Sequence, residues 1–447
     1  MFRKGNAVAA VVFTMWLVAP NVAGQSELTK LISYALEHSH DVKKSQLQIE
    51  EADYLRREAR SQGLPQIEGT ASYSKMMLEL DLPASVYSMV SEEYAPIIDQ
   101  IANIDALYTA SMGVQVTQLI YSQAYWIGLK TARKNQELQT ILKSKTDEEV
   151  IGEVANAYYQ TGSLMLQEQT IEGSLNSLRE LYKITELNYR SDLIKETDLN
   201  RLKVTLTNME VSRQTIVTGI DIQLNYLKAL AGMPADSVIR IDASYYVENF
   251  RNTVVSPLDL QNVPAYQVLV KQDEIAAQQV KAARANYYPT LAAYGQFDFS
   301  SYNTSSKVDE LTNMNTIGLN LKVPIFTSGQ THAKVKQAML QKSQLNEEML
   351  KYQKLLSIDY KNALSELQTA SGLVTVQKEN RELAQKVYHQ TLLQYREGMA
   401  SMADVLNVNF DLLQADNTYN QQVLKCRMAE VKMLKATGTL LQLGSGD

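Results

Sequence analysis

Mostly apolar residues recur along two stretches of this chain in alternating steps of three and four, and the two stretches share one register. The first stripe runs from Leu199 to Leu230 and the second from Val405 to Ala436, an offset of 206 residues. Spacing of this kind is typical of the seam of a coiled coil. Ten matched positions in one register indicate that a long pattern occurs twice in the chain.

A short turn-forming segment precedes each stripe, and the two segments match at the same offset. The first begins at Tyr189 and reads Y-R-S-D-L-I-K-E-T-D-L, and the second begins at Tyr395 and reads Y-R-E-G-M-A-S-M-A-D-V. Proline breaks helix interiors, and it is missing from the long stretches around both turns. We therefore predict two hairpins of long helices, over residues 126–232 and 330–440, with these turns at their tips.

Four other segments alternate apolar and polar residues with period two, near residues 66–78, 111–120, 290–300 and 316–325. In the first of them Gln66, Glu68 and Thr70 share one face. The lengths fit tilted membrane-spanning strands, although a small soluble sheet with one wet face would give the same alternation. Four strands leave two open edges, which hydrocarbon does not tolerate, so a membrane location requires closure with sheets of other copies.

The ends of the pattern define the expected domains. A charged start, an apolar run and small residues before Gln25 predict a cleaved signal peptide at residues 1–24, hence export. A first repeat is expected over residues 25–233, a connecting region over 234–263 and a second repeat over 264–447.

Composition and motifs narrow the function. The chain has 43 basic and 49 acidic side chains, a net charge of −6, which argues against nucleic acid as a partner. Its single cysteine, Cys426, excludes an intrachain disulfide. The sequence contains no H-E-x-x-H, P-loop or G-x-S-x-G motif. Of its four histidines, His38 and His40 are two apart on a predicted helix and so point to different sides, and the other two lie alone. We therefore expect no enzyme, no catalytic residues, no cofactor and no metal site.

Several segments together resemble the TolC-type outer-membrane efflux family. They are Y-P-T-L-A-A-Y from Tyr288, L-K-V-P-I-F-T-S-G at 321–329, a degenerate V-T-Q-L-I-Y-S-Q at 116–123, and the tip at 395–406. Each motif alone is weak, but their duplicated order is specific and covers essentially the whole mature chain.

The resemblance implies a fold and a set of partners. The fold is an α+β membrane protein in which the duplicated helix–strand–strand–helical hairpin forms part of a trimeric β-barrel continued by an α-helical coiled-coil barrel. The implied protein is a passive exit duct in the outer membrane of a Gram-negative bacterium, surrounded by outer-membrane lipid and extending into the periplasm. A periplasmic adaptor (membrane fusion) protein and an inner-membrane pump are the implied partners, in an efflux or type I secretion-type system.

The resemblance also assigns roles at the hairpin tips. Asp404 falls where the family lines the narrowest part of the lumen with a carboxylate, and three copies would repel each other and attract cations. A second lumen position falls on Asn407, which is neutral. Thr197 and Asp198 fall where the first tip accepts hydrogen bonds, and Tyr395 falls where a hydroxyl points towards that aspartate.

The tips are also the implied adaptor contact. The positions concerned are Tyr189, Arg190, Ser191, Arg396, Gly398 and Ser401. The family pattern has an arginine where this chain has Ala400, so the closed state is expected to be held differently here.

Two alternatives stay open from the residues. Asp198 and Asp404 each start a helix, where an acidic residue caps free N–H groups or favours the helix dipole. The matched positions favour a lumen role for Asp404 and keep capping for Asp198, and both roles are compatible. For the whole chain, the alternative to a channel is a periplasmic coiled-coil adaptor or scaffold without a pore.

Overall fold

A computed structural model describes residues 27–77, 106–241 and 256–445, together with the isolated positions 89, 91, 94, 96, 97 and 243. The expected signal peptide lies outside the described residues. So do most of the connection between the first two strands and part of the expected connecting region.

The elements follow the same order in the two halves of the chain, as the duplicated pattern predicts. The first half contains α1 (Glu27–His38), α2 (His40–Ser61), β1 (Gln66–Met77), β2 (Ala106–Ser122), α3 (Gln123–Arg190) and α4 (Glu196–Ala231). The second contains a 3-10 helix (Leu260–Asn262), α5 (Pro264–Ala285), β3 (Thr290–Asn303), β4 (Thr312–Lys322), α6 (Gln330–Arg396), α7 (Met402–Thr437) and the short α8 (Gln442–Ser445).

The four strands form one antiparallel sheet in the order β1-β2-β3-β4. Its register aligns polar residues across one face, for example Glu68, Gln115, Gln296 and Thr316. The same register aligns apolar or small residues across the other face, for example Ile67, Val116, Gly295 and Ile317. This second face is open to solvent within the single chain: Ile317 is 82% exposed. The alternation in the sequence thus becomes a sheet with one polar and one uncovered apolar face.

The two long helices are rods. Helix α3 has 68 residues and α6 has 67, so each is about 100 Å long at 1.5 Å per residue. The 36-residue helices α4 and α7 pair with the halves nearest the tips, while α2 and α5 pack along the halves nearest the sheet. Within the described part of the chain, no helix combines the length and the apolarity needed to cross a membrane.

Among the residues that the structure describes, buried apolar side chains form two large clusters and a small one around Tyr266 and Leu356. One cluster lies where α1, α3, α4, α6, α7 and α8 meet, and includes Ile32, Ile151, Leu227 and Leu440. The second lies near the tips and includes Leu175, Leu178, Leu202 and Val405. Because the second cluster draws residues from both hairpins, it joins them into one body above the tips.

Candidate gate at the hairpin tips

The two tips close in the same way. Helix α3 ends before Asp192, whose φ is 56°, and α6 ends before Gly398, whose φ is 76°. The Leu193 N–H donates to the Asn188 carbonyl at 2.9 Å, and the Met399 N–H donates to the Gln394 carbonyl at 2.8 Å. Both tips therefore end their long helix with a left-handed residue and the same backward hydrogen bond. Only the second tip uses glycine for it.

The second tip has a complete N-terminal cap. The Ser401 backbone N–H donates to Asp404 Oδ2 at 2.8 Å, the Ser401 hydroxyl donates to the same oxygen at 2.6 Å, and the Asp404 N–H donates to Ser401 Oγ at 3.2 Å. These bonds, the hydroxyl first, hold the pKa of Asp404 below its usual range. The exposed carboxylate is thus both a cap and a fixed negative charge.

The first tip lacks the equivalent cap. Lys195 stands at the N-cap of α4 and its side chain makes no capping hydrogen bond. Asp198 lies in the first turn, where its charge favours the helix dipole. The sequence favoured capping for Asp198 and a lumen role for Asp404, but the structure gives the capping bonds to Asp404.

The other predicted tip residues divide into packed and exposed groups. The Tyr395 ring packs against the tip cluster, and among the described residues no hydrogen bond joins its hydroxyl to Asp198. Asn407 lies exposed three residues after Asp404, on the same face of α7. Thr197 is exposed on the first tip.

The positions implied as adaptor contacts lie at the surface of both tips. Arg190 pairs with Glu186 at 3.0 Å and the Ser191 hydroxyl donates to the Leu187 carbonyl at 3.0 Å. Tyr189 is half-buried, and Arg396 is exposed together with Gly398 and Ser401. These residues present a polar surface.

A polar link between the hairpins was missed from the sequence. On α7, Asn409 Nδ2 donates to Ser174 Oγ of α3 at 2.9 Å, and the Ser174 hydroxyl lies 3.2 Å from Asn409 Oδ1. Asn409 is 3% exposed. Tyr388 of α6 is buried beside it; burial raises the pKa of Tyr388, and hydrogen bonds from Asn409 and Ser177 partly offset this. Buried polar groups inside an apolar seam fix its register, so this link specifies how the hairpins meet.

Each hairpin is also fastened by an arginine between its own two helices. Arg213 of α4 reaches Glu168 at 2.9 Å and Glu172 at 2.5 Å on α3. Arg381 of α6 lies 3.4 Å from Asp416 of α7 and stacks over the Tyr419 ring. The arginine of the first hairpin is therefore held by two ion pairs, whereas the arginine of the second hairpin is held by one ion pair and one aromatic ring.

One buried carboxyl lies far above the tips. Glu148 of α3 is 3% exposed and its Oε1 has no hydrogen-bond partner. Burial raises the pKa of Glu148 to about 7, against the opposing charge of Lys435. Next to it, α3, α6 and α7 enclose a cleft of about 890 Å³ whose charged lining includes Glu149, Glu366 and Lys432.

A half-exposed amphipathic sheet on long helical hairpins defines the fold of an outer-membrane channel subunit. Residues 31–232 and 256–439 match the model of the outer membrane efflux protein family, and the chain belongs to that family. The outer membrane protein TolC of Salmonella enteritidis is 20% identical over 389 residues, covering 80% of this chain and 77% of TolC. The solvent efflux pump outer membrane protein SrpC of Pseudomonas putida is 25% identical over 435 residues, covering 92% and 85%.

Solved structures share the fold. The Campylobacter jejuni CmeC outer membrane channel superposes with a TM-score of 0.74 at 18% identity, covering 93% of this chain and 86% of CmeC. The open state of the Neisseria gonorrhoeae MtrE outer membrane channel gives 0.71 at 16% identity, covering 93% and 89%. The predicted fold class and family are thereby confirmed.

Proposed function

We propose that this protein is the outer-membrane exit duct of an efflux or type I secretion-type export system. Three copies would each supply four strands to one barrel and four long helices to one tunnel. The tunnel would be closed at the hairpin tips and opened there by a periplasmic adaptor joined to an inner-membrane pump. In this role the chain conducts cargo and catalyses nothing.

The uncovered apolar face of the sheet is the observation that carries the proposal. Ile67, Ile317, Leu319 and Leu321 are all largely exposed in the single chain, and water would penalise such a surface by about 25 cal/mol per Å². Lipid removes that penalty. The polar face, with Glu68 and its aligned neighbours, then borders an aqueous lumen.

Aromatic side chains bound the apolar face at both ends. Trp126 and Phe326 are exposed at the end that adjoins the helices. At the far end Tyr73 and Tyr108 share the apolar face, and their ring centroids lie 6.2 Å apart. Aromatic girdles at both interfaces are typical of barrels that cross a membrane. They support a sheet that spans the bilayer with the rods on one side.

Strands β1 and β4 are the two edges of the sheet. In hydrocarbon each unpaired backbone group costs several kcal/mol, so the edges must pair with β4 and β1 of neighbouring copies. The long helices also have exposed apolar positions that need to be covered by neighbouring copies. Val204 and Val211 on α4 are exposed, as are Val376 and Leu383 on α6, each pair seven residues apart. Seven-residue spacing is that of a seam awaiting a partner helix, which supports closure of both barrels by other copies.

At the tips we propose that Asp404 and Asn407 face the constriction. Three ionised Asp404 carboxylates around one axis would favour cations over anions. Thr197, Asp198 and Tyr395 would frame the same opening, and Tyr189, Arg190, Ser191, Arg396, Gly398 and Ser401 would meet the adaptor. Since Ala400 offers no ionic lock, the Ser174–Asn409 link is the contact that we assign to holding the hairpins together.

The adaptor or scaffold interpretation lacks an equivalent support. An adaptor has no need of a sheet that leaves one apolar face open between two aromatic girdles. The relatives named above are called outer membrane proteins, which also favours the duct.

Two measurements test the proposal. Mass analysis of the protein extracted from membranes in detergent should give three copies, and planar bilayers should show discrete conductance. Asp404→Ala should reduce cation preference, whereas Asp411→Ala, one helical turn past Asn407, should change it less. A monomer recovered in detergent-free soluble extract, with no conductance, would contradict the duct.

A further inference from the structure

Six exposed cations surround the helix ends that adjoin the sheet. They are Arg60 on α2, Lys130 on α3, Lys281 and Arg284 on α5, and Lys334 and Lys336 on α6. Each lies within about two turns of the end of its helix, hence within about 10 Å of it along the axis. Among the described residues, none of the six forms an ion pair. We call this set the basic collar.

Acidic residues are scarce at the same level of the molecule. Residues 123–136, 275–285 and 330–346 contain no aspartate or glutamate, although the whole chain has 49 of them and a net charge of −6. On α2, Asp53 is already engaged by Arg56 and Arg57 at 2.9 and 2.8 Å, and exposed Glu58 lies two residues before Arg60. The collar is therefore a local positive field on an acidic protein.

The collar faces the same side as the aromatic girdle. Lys130 follows exposed Trp126 by four residues and so shares its helix face. Tyr288, also exposed, lies three residues past the end of α5. Tryptophan and tyrosine at the ends of membrane-spanning segments lie at headgroup level. Lys130 is thus one helical turn from a ring that marks headgroup level, and Tyr288 adds a second ring beside the end of α5.

Neighbouring copies leave the centre of the collar free. The helices beside the sheet pack in the order α2, α3, α5, α6, so α2 and α6 are the edges that another copy would meet. Lys130, Lys281 and Arg284 lie on the two inner helices, and all three are exposed. Their charges therefore lie away from the two edges at which copies would pair.

We propose that the basic collar binds the headgroups of anionic phospholipids in the leaflet that faces the helical rods. The inference rests on the proposed function, because it requires the sheet to span the bilayer. The headgroup layer is about 5–8 Å thick and the screening length is about 8 Å at physiological salt, so cations within 10 Å of the sheet are in range. Each cation near an anionic leaflet raises affinity by about fivefold.

Native mass spectrometry of the purified channel tests this, with phosphatidylglycerol and phosphatidylcholine of identical chains as probes. The test variant is Lys130→Gln/Lys281→Gln/Arg284→Gln. The matched control is Lys203→Gln/Lys378→Gln/Lys386→Gln, which removes three exposed lysines from the distal part of the rods. The wild type should retain phosphatidylglycerol over phosphatidylcholine, and 0.5 M salt should weaken this preference. The test variant should lose about a hundredfold in affinity for phosphatidylglycerol, and the control should keep it.

Equal binding of the two lipids to the wild type, or unchanged phosphatidylglycerol binding in the test variant, would overturn the collar. So would displacement of the lipid by soluble peptidoglycan fragments, which would reassign the surface to the cell wall. Conductance is recorded on the same preparations. A channel that conducts but shows no lipid preference would contradict the lipid-binding proposal alone. A protein that forms no pore would contradict the proposed channel function.

Discussion

Gly232 and Gly438 end helices α4 and α7 with the same backbone geometry, 206 residues apart. Their φ angles are 69° and 70°. A Cβ on Gly232 would lie 2.4 Å from the His38 carbonyl oxygen, and one on Gly438 would lie 2.3 Å from the Asn262 carbonyl oxygen. Each glycine lets the end of a tip helix abut the start of a sheet-side helix, α2 or α5. The duplication therefore extends to the joints of the rods.

Alanine at either glycine should destabilise the protein by at least about 2 kcal/mol. The left-handed backbone alone costs a residue with a Cβ about 1–2 kcal/mol, and displacing a carbonyl adds to that. Gly372→Ala is the control, since it lies inside α6 with nothing near its Cβ position, and it should stabilise by about 0.5–1 kcal/mol. Thermal unfolding in detergent measures all three. Equal melting temperatures for Gly232→Ala and Gly372→Ala would show that the joints tolerate a side chain.

Serine at position 195 should supply the cap that the first tip lacks. Lys195 and Asp198 have the spacing of Ser401 and Asp404, so Lys195→Ser completes a capping box on α4 and should stabilise by about 0.5–1 kcal/mol. Ser401→Ala removes the existing box and should cost about 1 kcal/mol. Protease sensitivity at the tips and thermal melting report both changes. A destabilised Lys195→Ser variant would mean that the lysine has a role of its own.

Asn409→Ala should loosen the contact between the hairpins. It leaves the Ser174 hydroxyl without its partner, at a cost of about 1–3 kcal/mol, and we expect larger or more frequent conducting events in planar bilayers. Tyr388→Phe should act in the same direction. Tyr182→Phe is the matched control, because Tyr182 is the equivalent tyrosine of the first copy, 206 residues earlier, and is only half-buried. Equal currents from Asn409→Ala and the wild type would show that the Ser174–Asn409 hydrogen bond does not help to keep the tips closed.

Glu148 should make stability fall as the pH rises. Its pKa is raised from 4.5 to about 7 in the folded chain, so its protonated form stabilises the fold fully below about pH 4.5. That contribution, about 3 kcal/mol at most, is lost as the pH rises through 7. Glu148→Gln should therefore flatten the dependence of melting temperature on pH between 5 and 8. Glu149→Gln, its less buried neighbour, should leave the slope in place; if it alone flattens the slope, the titrating group is not Glu148.

The heptad stripe, the proline-free stretches and the period-two segments were enough to predict the order of elements, and the resemblance of four short motifs predicted the family. They work because each is a local signal repeated over many residues. The cap at the second tip was also legible, since S-M-A-D has serine and aspartate at capping-box spacing while K-E-T-D does not. The resemblance favoured a lumen role for Asp404, and the capping box shows that the same carboxylate is also a cap.

The residues that sequence reasoning missed depend on contacts between distant segments. Ser174 and Asn409 are 235 residues apart, and nothing local marks either as a partner of the other. Glu148 stands next to Glu149 in a run that looks solvated, and only the crossing of α3 with α6 and α7 decides which of the two is buried. Which residues pair and which are buried is decided by the packing of whole helices against each other, so a short window of sequence does not predict it.

The glycine joints interrupt only one of the two parallel rows of helices in each repeat. In each repeat an unbroken rod of about 100 Å runs beside two shorter rods laid end to end. Bending at that level stretches few bonds in the segmented partner, while the unbroken rod resists twisting and keeps the two ends aligned. In the proposed duct, bending at this level would let the tip ends of the hairpins move while the ends beside the sheet stay in place.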